Sequence, residues 1–207
     1  MTGSADTGSD ASRSEPGDEA LVVRVAAGDR RAYALLVDRH LDRTVTIARR
    51  VLGSQAEAED VAQEAFLRLW QNAGRFRPDS GARFTTWFYR VTMNLCLDHQ
   101  RRPKGRALDD AGDPQDPAPD AETNLVRNRT AAAVAAAIQE LPERQRAAIT
   151  LTYDAGLSNA EAARTLDVSV KAFETVLVRA RRALRTRLAG WGAAGGTDEE
   201  SKRKEGA

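Results

Sequence analysis

Residues 157–185 read LSNAEAARTLDVSVKAFETVLVRARRALR, and two helices separated by a short turn can be read from that stretch. Ser158 stands three residues before Glu161, the spacing of a capping box in which each side chain serves the other's backbone N–H, so a helix is predicted to start there. Ala162, Ala163 and Leu166 make its buried side, small enough for a second helix to approach closely. Asp167-Val168 supplies a turn and Ser169 the next cap, which is helix-turn-helix spacing. On the second helix Phe173, Val176, Leu177, Ala180 and Leu184 fall on one side at about 100° per residue, and Lys171, Glu174, Thr175, Val178 and Arg182 on the other. Arg179, Arg181 and Arg185 extend the positive charge. Such a helix can lie in the major groove, its first turns on base edges and its later arginines on phosphates. A solvated basic face is the competing explanation, since cations favour the C-terminal end of a helix. Glu174 has two readings as well: acceptor from a cytosine amino group, or ion pair with Lys171 three residues before it.

Outward from this motif, helical periodicity covers residues 124–189, with Leu141-Pro142 placing a proline in the first turn of a new helix. Before it, residues 103–123 hold Pro114, Pro117 and Pro119 among five aspartates, a composition that neither packs nor repeats and that predicts a flexible acidic linker. Residues 19–102 are helical again: Tyr33, Leu36, Val37, Leu41, Val45, Ala48, Val51 and Leu52 keep helical spacing until Gly53 ends the run. Residues 1–18, rich in Gly, Ser, Asp and Thr, and residues 190–207 are expected to be disordered tails. The fold expected is therefore all-α: two small helical domains joined by a flexible linker, the second containing a helix-turn-helix. With 207 residues, 42% of them hydrophobic, the chain has material for two compact cores.

Charge and composition exclude several functions. Lys+Arg 31 against Asp+Glu 30 leaves a net charge of +1, so any polyanion must be met by locally segregated charge. The single cysteine, Cys96, and the two histidines, His40 and His99, lack the ligand company of a zinc site, and no phosphate-cradling glycine loop or nucleophile motif is present. No catalytic residue, metal, cofactor or small-molecule substrate is expected. The acidic start differs from a secretory signal and no apolar run is long enough for a membrane span, so a cytoplasmic protein is expected.

Two features of the first domain stand out. On the helix from Ala56 to about Gln71, Ala58, Val61, Ala62, Ala65, Phe66 and Leu69 make the core side, while Asp60, Gln63, Glu64, Leu67 and Gln71 cluster opposite. An apolar centre within a charged rim suits a binding surface, although single exposed leucines are also ordinary. Next comes the basic loop Arg75-Phe76-Arg77-Pro78-Asp79-Ser80-Gly81-Ala82-Arg83, then Phe84-Thr85-Thr86-Trp87-Phe88-Tyr89-Arg90, dense in rings for a chain 5% aromatic. Rings stack on unpaired bases and arginines hold the backbone, as capture of single-stranded DNA requires. Phe88 and Val91 are assigned instead to the core. Thr86, Arg90, Asn94 and Arg101 share one side of the helix, with Asp98 at its flank.

The motifs Asp60-Val61-Ala62-Gln63-Glu64-Ala65-Phe66-Leu67, Phe84-Thr85-Thr86-Trp87-Phe88-Tyr89-Arg90-Val91-Thr92-Met93-Asn94 and Leu141-Pro142-Glu143-Arg144-Gln145-Arg146, together with the helix-turn-helix, resemble extracytoplasmic-function (ECF) sigma factors of bacterial RNA polymerase. The resemblance covers nearly everything between the tails. It implies a sigma region 2 domain over 19–102, in which Asp60, Gln63, Glu64 and Leu67 dock on the clamp coiled coil of the core polymerase. Arg77, Ser80, Arg83, Trp87, Arg90, Asn94, Asp98 and Arg101 would read and melt the minus-ten element of promoter DNA. It implies a sigma region 4 domain over 124–189 that reads the minus-thirty-five element through Lys171, Glu174, Thr175 and Val178, with Arg179 and Arg182 on phosphates, and it implies an anti-sigma factor as a further partner. Lys171-Ala172-Phe173-Glu174 departs from the glycine, small and basic residues common there in the family, so this promoter preference is not carried over from relatives. A self-sufficient helix-turn-helix regulator is the rival, but its dimer face would set the Asp60 and Glu64 carboxylates against their own copies.

Overall fold

The computed structural model describes residues 16–77, 83–101 and 121–195, and among these it is helical, without strands. In the first domain α1 (Asp18–Ala26), α2 (Arg30–Leu52), α3 (Gln55–Asn72) and α4 (Phe84–Arg101) pack around one another, with a 3-10 turn at Ala73–Arg75 after α3. The second contains α5 (Ala121–Gln139), α6 (Glu143–Tyr153), α7 (Asn159–Thr165) and α8 (Val170–Gly195).

Local chemistry sets most of the boundaries. The Asp29 carboxylate accepts from the Arg31 and Ala32 amides at 2.9 and 3.1 Å to start α2, and Gly53, at φ 84°, ends it in the left-handed conformation that suits glycine. Ser54 caps α3 through the Glu57 amide. Pro142 stands one position earlier than its expected place in the first turn: it is the N-cap of α6, where its carbonyl accepts from Gln145 and Arg146.

Three boundaries drawn from sequence shift. Asp18, assigned to the tail, is the first residue of α1 and bonds His40 at 2.8 Å and Arg39 at 3.0 Å on α2. α5 begins at Ala121, inside the stretch assigned to the linker, and α8 runs beyond Ala189 to Gly195. Extending an existing helix adds one hydrogen bond per residue fixed, so a glycine at about 1 kcal/mol weakens such an end without stopping it. Residues 1–15, 102–120 and 196–207 lie outside the described residues, and with them most of the tails and the linker.

The first core is filled by Leu36, Ile47 and Val51 of α2, Val61, Ala65 and Leu69 of α3, and Phe84, Phe88 and Met93 of α4, all buried. Phe88 stacks on Phe84 at 5.4 Å and meets Phe66 at 4.9 Å, so it is a packing residue as assigned, and Val91 packs partly buried beside it. Truncating Phe88 to alanine would cost about 3–5 kcal/mol of fold stability, so it is not a clean test of a DNA contact. The second core is smaller: Leu141, Ala148, Leu151, Ala162, Ala163, Phe173, Leu177 and Ala180. The two cores are continuous, because α5 and α6 lie on α2 and α7 lies on α4.

Candidate DNA and polymerase interfaces

The helix-turn-helix is built as its sequence dictates. The Ser158 hydroxyl accepts from the Glu161 amide at 3.3 Å while the Glu161 carboxylate accepts from the Ser158 amide at 2.9 Å, a closed capping box. The Ser158 hydroxyl and amide hold the Glu161 carboxyl below the usual glutamate range, with Arg83 and Arg164 adding to the effect. Asp167 makes the turn at φ 55°, and the Ser169 hydroxyl accepts from the Ala172 amide at 3.2 Å to cap α8. Phe173, Leu177 and Ala180 then face the core, which leaves Lys171, Glu174, Thr175, Val178, Arg179 and Arg182 on the exposed side; Val178 is 63% exposed.

Within that face the residues differ. Lys171, Arg179, Arg182 and Arg185 form no ion pair among the described residues, whereas Arg181 bonds the Tyr153 hydroxyl at 2.9 Å and lies 5.6 Å over its ring. Arg187 pairs with Glu140 at 3.0 Å. Glu174 does not pair with Lys171: its carboxylate accepts from the Asn159 side-chain amide of α7 at 3.3 Å. Only the folded motif brings positions 159 and 174 together, so sequence spacing gave no sign of the contact.

On α4, Arg90, Asn94, Asp98 and Arg101 are exposed, and Arg77 and Arg83 are exposed on either side of residues 78–82. Ser80 lies outside the described residues. Arg77 donates to the Gly74 carbonyl at 2.7 Å. Trp87 is half-buried, with its ring 5.9 Å from Phe76 and 6.1 Å from Phe84, so one face of the indole belongs to the core. Thr86 separates from the helix side it was assigned to: it is buried, because this end of α4 packs under α1, where Glu19 caps the Phe84 amide at 3.0 Å. Asn94, Asp98 and Arg101 line a cleft of about 810 Å³ whose far wall is α6 and the helix-turn-helix.

On α3, Asp60, Gln63 and Leu67 are exposed, Leu67 by 48%. Glu64 is half-buried and tied to Arg68 at 2.8 Å, a pair legible in its i,i+4 spacing but overlooked there. Trp70, 37% exposed, meets Tyr33 edge-on at 5.3 Å, so the apolar surface around Leu67 is broader than sequence suggested. Cys96 is buried, and burial pushes its thiol up to about 12. Among the described residues no cluster of His, Cys, Asp or Glu could hold a metal ion, and no helix is long and apolar enough to cross a membrane.

Two helical domains, one presenting a capped helix-turn-helix with a basic exposed face and the other an arginine-bearing aromatic helix, are the architecture of a DNA-binding transcription factor. Family models for Sigma-70 region 2 and Sigma-70 region 4 match residues 36–106 and 131–184. The chain is 34% identical to the RNA polymerase sigma-H factor of Pseudomonas aeruginosa, over 81% of this chain and 91% of that one. It is 31% identical to the ECF sigma factor SigW of Bacillus subtilis, over 81% and 94%. It is also similar to the solved structure of CnrH in complex with the cytosolic domain of CnrY, at a TM-score of 0.63 and 29% identity over 84% of this chain and 97% of that one. The fold is shared with the sigma factor RpoE of Bartonella quintana, solved with the anti-sigma factor NepR, at a TM-score of 0.62 and 20% identity over 76% and 96%. The chain belongs to the ECF family of RNA polymerase sigma factors, which bring the polymerase to its promoters.

Proposed function

We propose that initiation is divided among three surfaces of this chain. The α3 face of Asp60, Gln63, Glu64 and Leu67 docks on the clamp coiled coil of core polymerase. Arg77, Ser80, Arg83, Trp87, Arg90, Asn94, Asp98 and Arg101 capture the opened minus-ten strand. The outer face of α8 reads the minus-thirty-five duplex, with Lys171, Glu174, Thr175 and Val178 on bases and Arg179 and Arg182 on phosphates. The observation that carries this division is the segregation of charge. Among the described residues, a nearly neutral chain sets four cations without an ion pair on α8 against one carboxylate, Glu174, and four exposed arginines around α4 against one, Asp98, while Asp60 and Glu64 stand on the α3 face. Phosphate contacts hold register and supply salt-dependent affinity, so such segregation is what DNA reading requires.

The chain does no chemistry of its own and works in the cytoplasm with the polymerase. An anti-sigma factor holds it inactive; the likeness to CnrH, solved with a protein partner, supports this. Run-off transcription over a promoter library tests the division of labour. Promoter-specific transcripts are expected only with core polymerase present, and tight specific binding to promoter duplex without core would overturn it in favour of a self-sufficient regulator.

A further inference from the structure

The first N–H groups of a helix have no partner within it, and the usual remedy is a Ser, Thr, Asp or Asn at the N-cap whose side-chain oxygen accepts from them. Asp29, Ser54, Ser158 and Ser169 start α2, α3, α7 and α8 in this way. The start of α4 is different. The Arg83 carbonyl accepts from the Trp87 amide at 3.3 Å, which puts Arg83 at the N-cap, and a guanidinium has donors only. The Arg83 side chain is 74% exposed, and its pair with Glu161 at 3.7 Å contributes little hold at such exposure.

The acceptor that Arg83 cannot supply comes from α1. The half-buried Glu19 carboxylate accepts from the Phe84 amide at 3.0 Å, across 65 residues of sequence, and its charge suits the positive end of α4. One residue earlier α1 is fixed to α2, where Asp18 accepts from Arg39 at 3.0 Å and bonds His40 at 2.8 Å. The His40 ring meets Phe84 edge-on at 5.3 Å, so α1 and its anchor hold Phe84 by amide and by ring. Phe84 directly follows Arg83 and stands three residues before Trp87, whose ring it meets at 6.1 Å. What fixes Phe84 therefore fixes the start of the helix that carries Arg83 and Trp87.

We propose that Glu19 is a positioning residue for strand capture: by capping α4 in place of Arg83 it leaves that arginine free for DNA and holds Arg83 and Trp87 in a fixed geometry with Arg90. This role rests on the assignment of α4 to the opened minus-ten strand made above. Without the cap the first turn of α4 frays, and affinity for the strand falls with the fraction of chain in which that turn is formed.

The test uses holoenzyme assembled from the full chain at saturating core polymerase, and a labelled single-stranded oligonucleotide bearing the non-template minus-ten sequence of a promoter it transcribes. Glu19→Ala should weaken oligonucleotide binding about five-fold, the equivalent of a cap worth about 1 kcal/mol. Glu19→Gln keeps an oxygen that can accept and should stay within about two-fold of the parent chain. Ser54→Ala removes the α3 cap of the same domain. It should lower the melting temperature of the free chain by an amount similar to Glu19→Ala yet leave oligonucleotide binding unchanged, which separates positioning from stability. Hydrogen exchange over the Phe84 to Phe88 amides should quicken in Glu19→Ala and not in Ser54→Ala. Parent-like binding by Glu19→Ala, equal losses in Glu19→Ala and Ser54→Ala, or no recovery in Glu19→Gln overturns the proposal. Arg90→Ala with the cap intact tests the reading of α4 by itself. Lost binding there beside parent-like binding in Glu19→Ala keeps α4 as the reading face and removes only the role of Glu19; unchanged binding in Arg90→Ala removes both.

Discussion

Arg181 and Arg182 are neighbours on α8 with the same chemistry, yet their removal should have different consequences. Arg182 is exposed and makes no ion pair among the described residues, so the fold loses little without it. If it meets one phosphate, its loss lowers the slope of log affinity against log salt by about 0.9. Across a four-fold rise in salt, from about 50 to 200 mM, that one contact accounts for about a 3.5-fold change in affinity. Extrapolated from 1 M, it is worth about eight-fold at 0.1 M, or about 1.2 kcal/mol. Arg181 instead donates to the Tyr153 hydroxyl at 2.9 Å and covers its ring at 5.6 Å. At a site this exposed, with Tyr153 60% accessible, that contact should stabilise the second domain by about 0.5–1 kcal/mol. Holoenzyme binding to a promoter duplex over a salt series, with a thermal melt of each free variant, measures both effects. Arg182→Ala should flatten the salt slope and leave the melt unchanged, and Arg181→Ala should do the reverse. Equal slopes for Arg182→Ala and the parent chain, or an equal flattening by Arg181→Ala, would refute the assignment of α8 charges to phosphate and to structure.

Asp60→Ala with Leu67→Ala is expected to weaken core polymerase binding at least ten-fold in a competition assay while the melting temperature stays within a degree or two, since both side chains are exposed; unchanged affinity would remove the α3 face. Asn159→Ala should change promoter preference in the same direction as Glu174→Ala, because it releases the carboxylate it holds; library transcription reads this, and a preference altered by Glu174→Ala alone would make Asn159 a bystander. The depressed Glu161 carboxyl adds stability that is present above its ordinary value of 4.5 and lost as pH falls through its lower folded value. Ser158→Ala should therefore cost about 1 kcal/mol at neutral pH and shrink the loss of stability below pH 4.5, as followed by melts over an acid series. Cys96, with its thiol near 12, should ignore a disulfide reagent at pH 8 until denaturant is added, and rapid native-state reaction would contradict its burial.

What sequence revealed was whatever lies within one or two helical turns. The capping box needs four residues and a backbone, so Ser158 and Glu161 could be paired on spacing alone, and the exposed ladder of α8 follows from a 3.6-residue period. Errors fall where a partner is remote. Asp18 sits in an acidic, glycine-bearing stretch that reads as tail, yet His40 and Arg39 lie more than twenty residues away and draw it into α1. Thr86 has the helical phase of Arg90 but lies deeper, because Glu19 pins the first turn of α4 against α1.

The junction of the domains is the strongest case of that limit. Gln139 and Asp154 belong to no motif, Arg146 closes the Leu141-to-Arg146 motif without any sign of this contact, and each meets the end of α2 from about ninety or more residues away in sequence. Taken one by one they read as ordinary polar residues on helix ends. Their positions matter because Gly53 stops α2 in a left-handed turn and leaves the Arg50 and Val51 carbonyls without intrahelical donors. The Arg50 carbonyl is capped from the second domain, whereas the Val51 carbonyl is shared between Arg146 of that domain and Gln100 of α4, which donates to it at 2.9 Å. These polar contacts stand at the rim of the continuous apolar core, whose exposure on separating the domains would cost about 25 cal/mol for every Å² uncovered.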